Sequence, residues 1–244
     1  MKKIFLISHL YNNGDYVYID KNEDNYHHLV RVLRVRIGEK FIIGDKINNE
    51  FTSEIININN NQIVLFIKDN YIRKNNIPDI TIFFSILKGD KNDLLLEKCT
   101  EIGVVRFIPM ITKNTVIKIL DGENKKIDRW KKIVLEASMQ SCSKIIPEIH
   151  SIEQFNQIKT YNSFKLKIYG CIKEKSKTLN NILTKIRQND SIAFFVGPEG
   201  DFDENEIKLL NDYGWEGVSL SNNILRSETS AIFTSSVIIS NFFN

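Results

Sequence analysis

The chain has 244 residues and a mass of 28.4 kDa, with 42% hydrophobic and 26% charged residues; that gives room for a hydrophobic core and excludes wholesale disorder, collagen and a disulfide scaffold. The net charge of +3, from 33 basic and 30 acidic residues, is too small by itself to argue for a nucleic-acid partner. Cys99, Cys142 and Cys171 are widely spaced, no apolar run approaches the ~18 residues of a membrane span, and the apolar run after Met1 is too short for a signal peptide, so reduced thiols, no metal, no membrane and a cytoplasmic location are expected.

Up to residue 70, apolar residues come in short runs at 3–8, 16–20, 40–44, 51–58 and 62–68, broken by Asn12-Asn13-Gly14-Asp15 and by Asn59-Asn60-Asn61. Period-two patterning between turn formers predicts a small β-barrel or sandwich. One helix interrupts it at 24–34, with Asp24 placed to cap its first turn. Residues 71–78 are polar and end in Pro78, which sets a linker there and divides the chain into residues 1–72 and 73–244.

Beyond the linker the rhythm changes. Apolar runs at 80–87, 104–110, 165–170, 191–196 and 217–221 alternate with helical patterns, the signature of an α/β sheet with helices on its faces. Asp90 is placed to cap a helix whose stripe is Leu94, Leu95, Cys99 and Ile102 and whose stop is Gly103. Trp130, Ile133, Val134 and Ala137 form the stripe of the next helix, behind Asp128 as its cap. Ser151 with Gln154, and Asp203 with Glu206, have capping-box spacing. The last helix, 229–241, is apolar nearly all round through Ala231, Ile232, Phe233, Val237, Ile238 and Ile239, so it belongs in the core or in a subunit interface.

Three segments have the chemistry of a site. Strand 191–196 enters Gly197-Pro198-Glu199-Gly200, where glycines admit a ligand close to the backbone and free N–H groups at the following helix start suit an anion or a carbonyl. The same loop reads equally as a tight turn. Leu220 to Ala231 again leads from strand to helix, with Arg226 and Glu228 before an apolar run and Ser227 or Thr229 as its cap. Neighbouring parallel strands would bring both loops into one pocket, although a solvated surface pair is the plain alternative for Arg226 and Glu228. Lys88-Gly89-Asp90-Lys91 leads into Glu97 and Glu101, which share a helix face near Lys98, a pattern that also fits a charged solvent face. GxGxxG and Walker A motifs are absent, and His9, His27, His28 and His150 have no recognisable nucleophile or metal-ligand partner.

Taken together and in this order, four stretches resemble the RsmE-type small-subunit ribosomal RNA uridine N3-methyltransferases of the SPOUT superfamily. They are His28 to Arg34 (His-x-x-Arg-Val-Leu-Arg), Lys88-Gly89-Asp90-Lys91 with Glu101-Ile102-Gly103-Val104, Val196-Gly197-Pro198-Glu199-Gly200, and Leu225-Arg226-Ser227-Glu228-Thr229-Ser230-Ala231. The resemblance spans nearly the whole chain. It implies an α/β SPOUT domain with a deep C-terminal trefoil knot over 73–244, preceded by a small PUA-like β-barrel RNA-binding domain over 1–72. It also implies S-adenosyl-L-methionine held bent by two loops, Phe195, Val196, Gly197, Pro198, Glu199 and Gly200 from one, and Leu220, Ser221, Asn222, Ile224, Leu225, Arg226, Thr229 and Ala231 from the other. A homodimer with the last helix at its interface, and small-subunit (16S) ribosomal RNA in the assembled 30S subunit as partner, follow from the same resemblance. Members often carry a second glycine after Gly-Pro-Glu-Gly where this chain has Asp201, and in the 140–144 segment only Lys144 is charged.

The implied reaction forms 3-methyluridine. Uracil N3 is a poor nucleophile until its proton leaves, so the site needs alignment, a polarising or deprotonating group and a dry pocket. Arg226 is the expected polar group, because a guanidinium near O2 or O4 stabilises the developing enolate-like charge and does not itself deprotonate. Glu199 and Glu228 are each a candidate base or orienter. RNA contact falls to His28, Arg31, Arg34 and Arg36, with Lys88 and Lys144. Charge is uneven along the chain: residues 1–75 carry 11 basic and 9 acidic residues, 76–190 carry 20 and 13, and 191–244 carry 2 and 8. Positive charge for RNA therefore lies in the first 190 residues, with Arg226 the lone arginine beyond them. A knotted RNA-binding protein without turnover, and a SPOUT methyltransferase acting on transfer RNA, are the rival readings.

Overall fold

The alternating runs of the N-terminal part become β1 (Lys2–Phe5), β2 (Tyr16–Asp20), β3 (Lys40–Gly44), β4 (Glu50–Ile58) and β5 (Gln62–Asn70), one sheet in the order β1-β3-β4-β5-β2. The computed structural model describes residues 2–5, 14–45, 49–70, 77–115, 123–143, 145–171 and 177–242. His9, Lys144 and most of the linker fall outside them. Two compact units result, residues 1–74 with 138–145 and residues 75–137 with 146–244.

Within the first unit β1 runs parallel to β3 and the other pairs are antiparallel. Alternation buries Val17 and Ile19 of β2 in a core with Phe41, Ile43, Ile55, Ile63 and Leu65, and leaves Tyr16 and Tyr18 exposed. The helix expected at 24–34 is short and locally widened: α1 (Asp24–His27) passes into a π-helical turn, His28–Val32. Its N-cap is Glu23, not Asp24, and no side chain caps it. Leu29 is fully buried in the core, where it anchors the turn.

The second unit is built from β6 (Asp79–Ser85), α2 (Lys91–Ile102), β7 (Arg106–Ile111), α3 (Glu123–Gln140), β8 (Glu148–Ile149), β9 (Glu153–Gln154), β10 (Leu166–Gly170), β11 (Lys177–Thr178), α4 (Leu179–Leu183), β12 (Ser191–Val196), α5 (Glu204–Asp212), β13 (Glu216–Ser219) and α6 (Ser227–Ser240). Its sheet runs β11-β13-β10-β12-β6-β7-β8, with β9 also on β7, and every pair is parallel. A parallel sheet is covered on both faces, and the strands show it. Ile80, Ile82 and Phe84 of β6 with Ile192, Phe194 and Val196 of β12 face a core shared with α2, α3, α4 and α6. Phe83, Ala193 and Phe195, the alternate positions, face a second core with Phe202, Leu210 of α5 and Trp215. Phe83 and Trp215 meet edge to face at 5.2 Å, and Phe84 and Trp130 at 5.5 Å; each fully buried side chain of this size contributes roughly 1.5–3 kcal/mol.

Helix interiors follow their stripes better than helix ends follow their expected caps. Trp130, Val134 and Ala137 are buried, but α3 begins at Glu123, so Asp128 is an exposed interior residue and not a cap. Leu94 is 43% exposed, and the inner stripe of α2 is Leu95, Leu96 and Cys99. Gly103 ends α2 at φ 116, a left-handed stop that a side chain would strain. Ser151 and Gln154 make no helical cap; residues 153–154 form β9 and a 3-10 turn, Phe155–Thr160, follows. Asp203 and Glu206 do form a capping box, with Asp203 accepting from Asn205 N–H at 3.0 Å and Glu206 accepting from Asp203 N–H at 2.9 Å. The N-cap of α6 is Arg226, with Ser227 already inside the helix and no side-chain cap. Ala231, Ile238 and Ile239 of α6 enter the core, while Phe233 is 39% exposed.

Candidate functional site

β13, β10, β12 and β6 are consecutive and parallel, so their carboxyl ends open on one edge of the sheet. A cavity of about 840 Å³ lies there, lined by Phe195 to Glu199 and Asp201 after β12, Ser219 to Ser227 with Ser230 around the end of β13, Gly170 and Cys171 after β10, Thr178, and Lys91. Ligands of parallel sheets bind at such edges, and the volume is that of a typical small-molecule pocket. The two loops singled out in the sequence therefore share one cavity, but their strands are not neighbours: β10 lies between β12 and β13. Gly170 and Cys171 enter the wall for that reason, and nothing in the sequence marked them.

Two glycines shape the wall. A Cβ on Gly197 would sit 3.1 Å from Phe202 Cε2, and one on Gly170 would sit 3.4 Å from Leu220 Cδ1. Gly197 thereby packs closely against the buried Phe202 ring while its loop lines the cavity. Two neighbouring loops hold the loop in place. Glu199 accepts from Lys91 Nζ, at the first residue of α2, at 2.8 Å and from Lys88 N–H, in the β6–α2 connection, at 3.1 Å. Asn114, beyond β7, donates through Nδ2 to Gly200 O at 3.1 Å and to Asp201 O at 2.9 Å, and Lys113 N–H donates to Glu206 Oε1 at 2.8 Å. Asp201 stands in the left-handed region at φ 60, and its Oδ1 accepts from Phe202 N–H at 2.8 Å; a second glycine in that position would reach the same conformation without strain.

The charged candidates separate by environment. Burial alone would raise the Glu199 carboxyl, but the Lys91 ammonium and the Lys88 N–H outweigh it and hold the group below its ordinary value. A carboxylate so paired is a poor proton acceptor near neutrality and a good tie between loops. Glu228 is 6% exposed and lies outside the cavity lining; its Oε2 has no hydrogen-bond partner among the described residues. Arg226 is exposed, lines the cavity, and meets no carboxylate among the described residues. Lys98 pairs with Glu97 at 2.7 Å and with Glu101 at 2.9 Å on the outer face of α2, so those carboxylates serve a solvent-side cluster outside the cavity.

Of the remaining expected cofactor contacts, Phe195, Val196, Gly197, Pro198, Leu220, Ser221, Asn222, Ile224 and Leu225 line the cavity. Gly200, Thr229 and Ala231 do not: Gly200 packs on Asn114, Thr229 is exposed, and Ala231 is fully buried in the core. His28, Arg31, Arg34 and Arg36 belong to the N-terminal unit, where the three arginines are exposed and His28 is half-buried. Lys88 is exposed on the β6–α2 connection. Lys144 lies outside the described residues. Cys99, Cys142 and Cys171 form no disulfide among the described residues, and burial pushes the Cys99 thiol up to about 12, which leaves it inert.

Comparison with known proteins agrees with this geometry. Residues 73–239 match the model of an RNA methyltransferase domain, and residues 22–68 that of an RNA methyltransferase PUA domain. The chain is 34% identical over 228 residues to ribosomal RNA small subunit methyltransferase E 2 of Borreliella burgdorferi, covering 91% of this chain and 90% of that one. It is 30% identical over 234 residues to ribosomal RNA small subunit methyltransferase E of Rickettsia conorii, covering 94% and 91%. Among solved structures, the Neisseria gonorrhoeae ribosomal RNA small subunit methyltransferase E bound to S-adenosylmethionine superposes with a TM-score of 0.85 at 26% identity, covering 99% of this chain and 98% of that one. A Legionella pneumophila methyltransferase with S-adenosylmethionine bound gives 0.84 at 27% identity, covering 98% and 97%.

Proposed function

We propose, for a chain that belongs to the E-type ribosomal RNA small subunit methyltransferases, that it transfers the methyl group of S-adenosylmethionine to N3 of a uridine in 16S ribosomal RNA. The observation that carries this reading is the shared cavity built from the Gly197 and Leu220 loops, with a guanidinium, Arg226, in its wall that meets no carboxylate among the described residues. The residues present fit the cofactor: Phe195 to Glu199 and Leu220 to Leu225 line one cavity of about 840 Å³, a volume that accommodates a nucleoside with an amino-acid moiety. When bound, S-adenosylmethionine supplies an already activated methyl on a sulfonium.

The chain's own residues then have three tasks. Phe195 to Glu199 and Leu220 to Leu225 bind and orient the cofactor, largely through backbone groups. Glu199, tied to Lys91 and Lys88, keeps the first loop in register with the β6–α2 connection. Arg226 stabilises negative charge on a uracil carbonyl as the N3 proton is lost. Glu228, outside the cavity lining at the start of α6, is assigned an orienting role near the Arg226 backbone, where the helix amino end favours negative charge. With Glu199 paired and Glu228 outside the lining, the proton leaves to water.

The same reading includes the finer expectations. The trefoil knot follows from membership of the family, whose RNA methyltransferase domain matches residues 73–239. A homodimer is expected from the family resemblance, with Phe233 of α6, 39% exposed, as an apolar side chain available to its interface. The assembled 30S subunit as substrate, and the cytoplasm as the place of action, follow from the ribosomal target. Mass spectrometry of 16S ribosomal RNA from a deletion strain is expected to show one 3-methyluridine missing, restored by the wild-type gene. Unchanged 3-methyluridine would falsify the proposal.

A further inference from the structure

The segment from Arg31 to Ile37 has a composition that phosphate binding alone does not explain. It begins inside the π-helical turn, His28–Val32, and is held to it by backbone bonds: Leu33 N–H donates to His28 O at 3.0 Å, and Val35 N–H donates to Leu29 O at 3.2 Å. Arg36 N–H donates to Glu39 Oε1 at 3.1 Å, and Gly38 N–H donates to Ile55 O at 2.7 Å. Leu33 and Val35 pack against the core, and Arg34 takes the left-handed conformation at φ 48. Residues 31–37 are thus preorganised, and what they expose is fixed by the fold.

Exposed are Arg31, Arg34 and Arg36, and with them Val32 at 67% and Ile37 at 63%. Those two are the most exposed large apolar side chains of the N-terminal unit among the described residues. Neither aliphatic chain gains anything from a phosphate or a ribose hydroxyl. The apolar faces of unstacked bases are what would remove them from water beside three guanidinium groups. A regular A-form duplex hides those faces, and it also hides N3, which lies on the pairing edge of uracil.

We propose that residues 31–37 grip a locally open stretch of RNA, with Arg31, Arg34 and Arg36 on phosphates and Val32 and Ile37 against the faces of unstacked bases. The inference rests on the methyltransferase reading for the identity of the RNA, and it goes beyond that reading in making this segment select open RNA over duplex. Aliphatic contacts and ionic contacts have different signatures. Ionic ones set the slope of log affinity against log salt, and aliphatic ones set affinity without changing the slope.

The test measures binding of the full-length protein across a salt series to two probes, protein-free 16S ribosomal RNA and 30S subunits, both from a strain lacking the enzyme. The double variant Val32→Ser/Ile37→Ser is expected to bind both probes roughly ten- to fiftyfold more weakly with the slope unchanged. Arg31→Gln is expected to lower the slope by about one. Val32→Leu/Ile37→Leu, which keeps the apolar surface, is expected to bind within about twofold of wild type. Circular dichroism melting and S-adenosylmethionine calorimetry check that the variants are folded. Wild-type affinity in the serine double variant overturns the proposal. So does a loss confined to 30S subunits, which would make the two side chains a contact for a ribosomal protein. A wild-type protein that binds both probes and leaves them unmethylated overturns the functional reading while leaving the grip on RNA standing.

Discussion

Glu199 and Lys91 stand 108 residues apart in the chain and 2.8 Å apart in space, and both line the cavity. The pair joins the loop after β12 to the start of α2, the helix that follows β6, and β6 and β12 are themselves neighbours. Glu199→Gln keeps the shape and the Lys88 N–H bond but loses the charge. If Glu199 ties the loops, methyl transfer falls by about three- to tenfold at most; a loss near a thousandfold would identify it as the base.

The same pair has a pH signature. The folded-state pKa of Glu199 is depressed, so its contribution to stability is fully present above the unfolded value of about 4.3 and fades as pH falls through the folded value. The difference in melting temperature between wild type and Glu199→Gln is therefore expected to be constant from about pH 5.5 to 8 and to shrink below about pH 4. A difference that grows on acidification would contradict the pairing.

Asn114 reaches the same loop from the other side, donating to both Gly200 O and Asp201 O. Asn114→Ala removes both donors, and Asn114→Asp keeps the shape but cannot donate. Both are expected to raise KM for S-adenosylmethionine by about three- to tenfold while kcat stays within about twofold, since only loop placement is affected. Steady-state kinetics decide it, and an equal fall in kcat for both variants would place Asn114 nearer to the chemistry.

How much of this was legible beforehand depended on the range of the interaction. The capping box of Asp203 and Glu206, the stop at Gly103 and the Trp130 stripe are local patterns, and all stand in the structure. The true stripe of α2 was ambiguous because Leu94, Leu95 and Leu96 are consecutive, and only packing decides which two turn inward. Helix α3 starts a turn and a half before Asp128 because Lys125 and Lys126 are good helix formers and nothing stops the helix there. The two site loops could be read from glycines and from the one arginine, whereas β10 between their strands could not, because periodicity carries no strand order. Asn114 and Lys91 act through partners 86 or more residues away, a relationship with no trace in local sequence.

Asp201 gives a backbone test. Its φ of 60 is tolerable for Asp, better for Gly and poor for a β-branched residue. Asp201→Val is expected to lose about 1–2 kcal/mol in urea denaturation. Asp201→Gly is expected to stay within about 1 kcal/mol of wild type, because relief of the backbone offsets loss of the Phe202 N–H bond. Equal stabilities for the Gly and Val variants would mean that the turn relaxes out of the left-handed region.

Arg226 decides the mechanism. Its guanidinium lines the cavity and has no carboxylate partner among the described residues, so it is available to a uracil oxygen. Removing one such donor typically costs about 10²–10³ in rate, and Arg226→Ala is expected to lose that much in single-turnover methylation while S-adenosylmethionine affinity by calorimetry changes only a few fold. An affinity loss as large as the rate loss would make Arg226 a cofactor ligand. Arg226→Lys keeps the charge without the planar fork and should fall between the two. The pH profile separates charge stabilisation from mere positioning. If the guanidinium eases loss of the N3 proton, the alanine variant depends on solvent alone for that step, so its rate should climb with pH more steeply than the wild-type rate and narrow the gap in alkaline solution. A gap that stays the same at every pH would mean that Arg226 only orients the base.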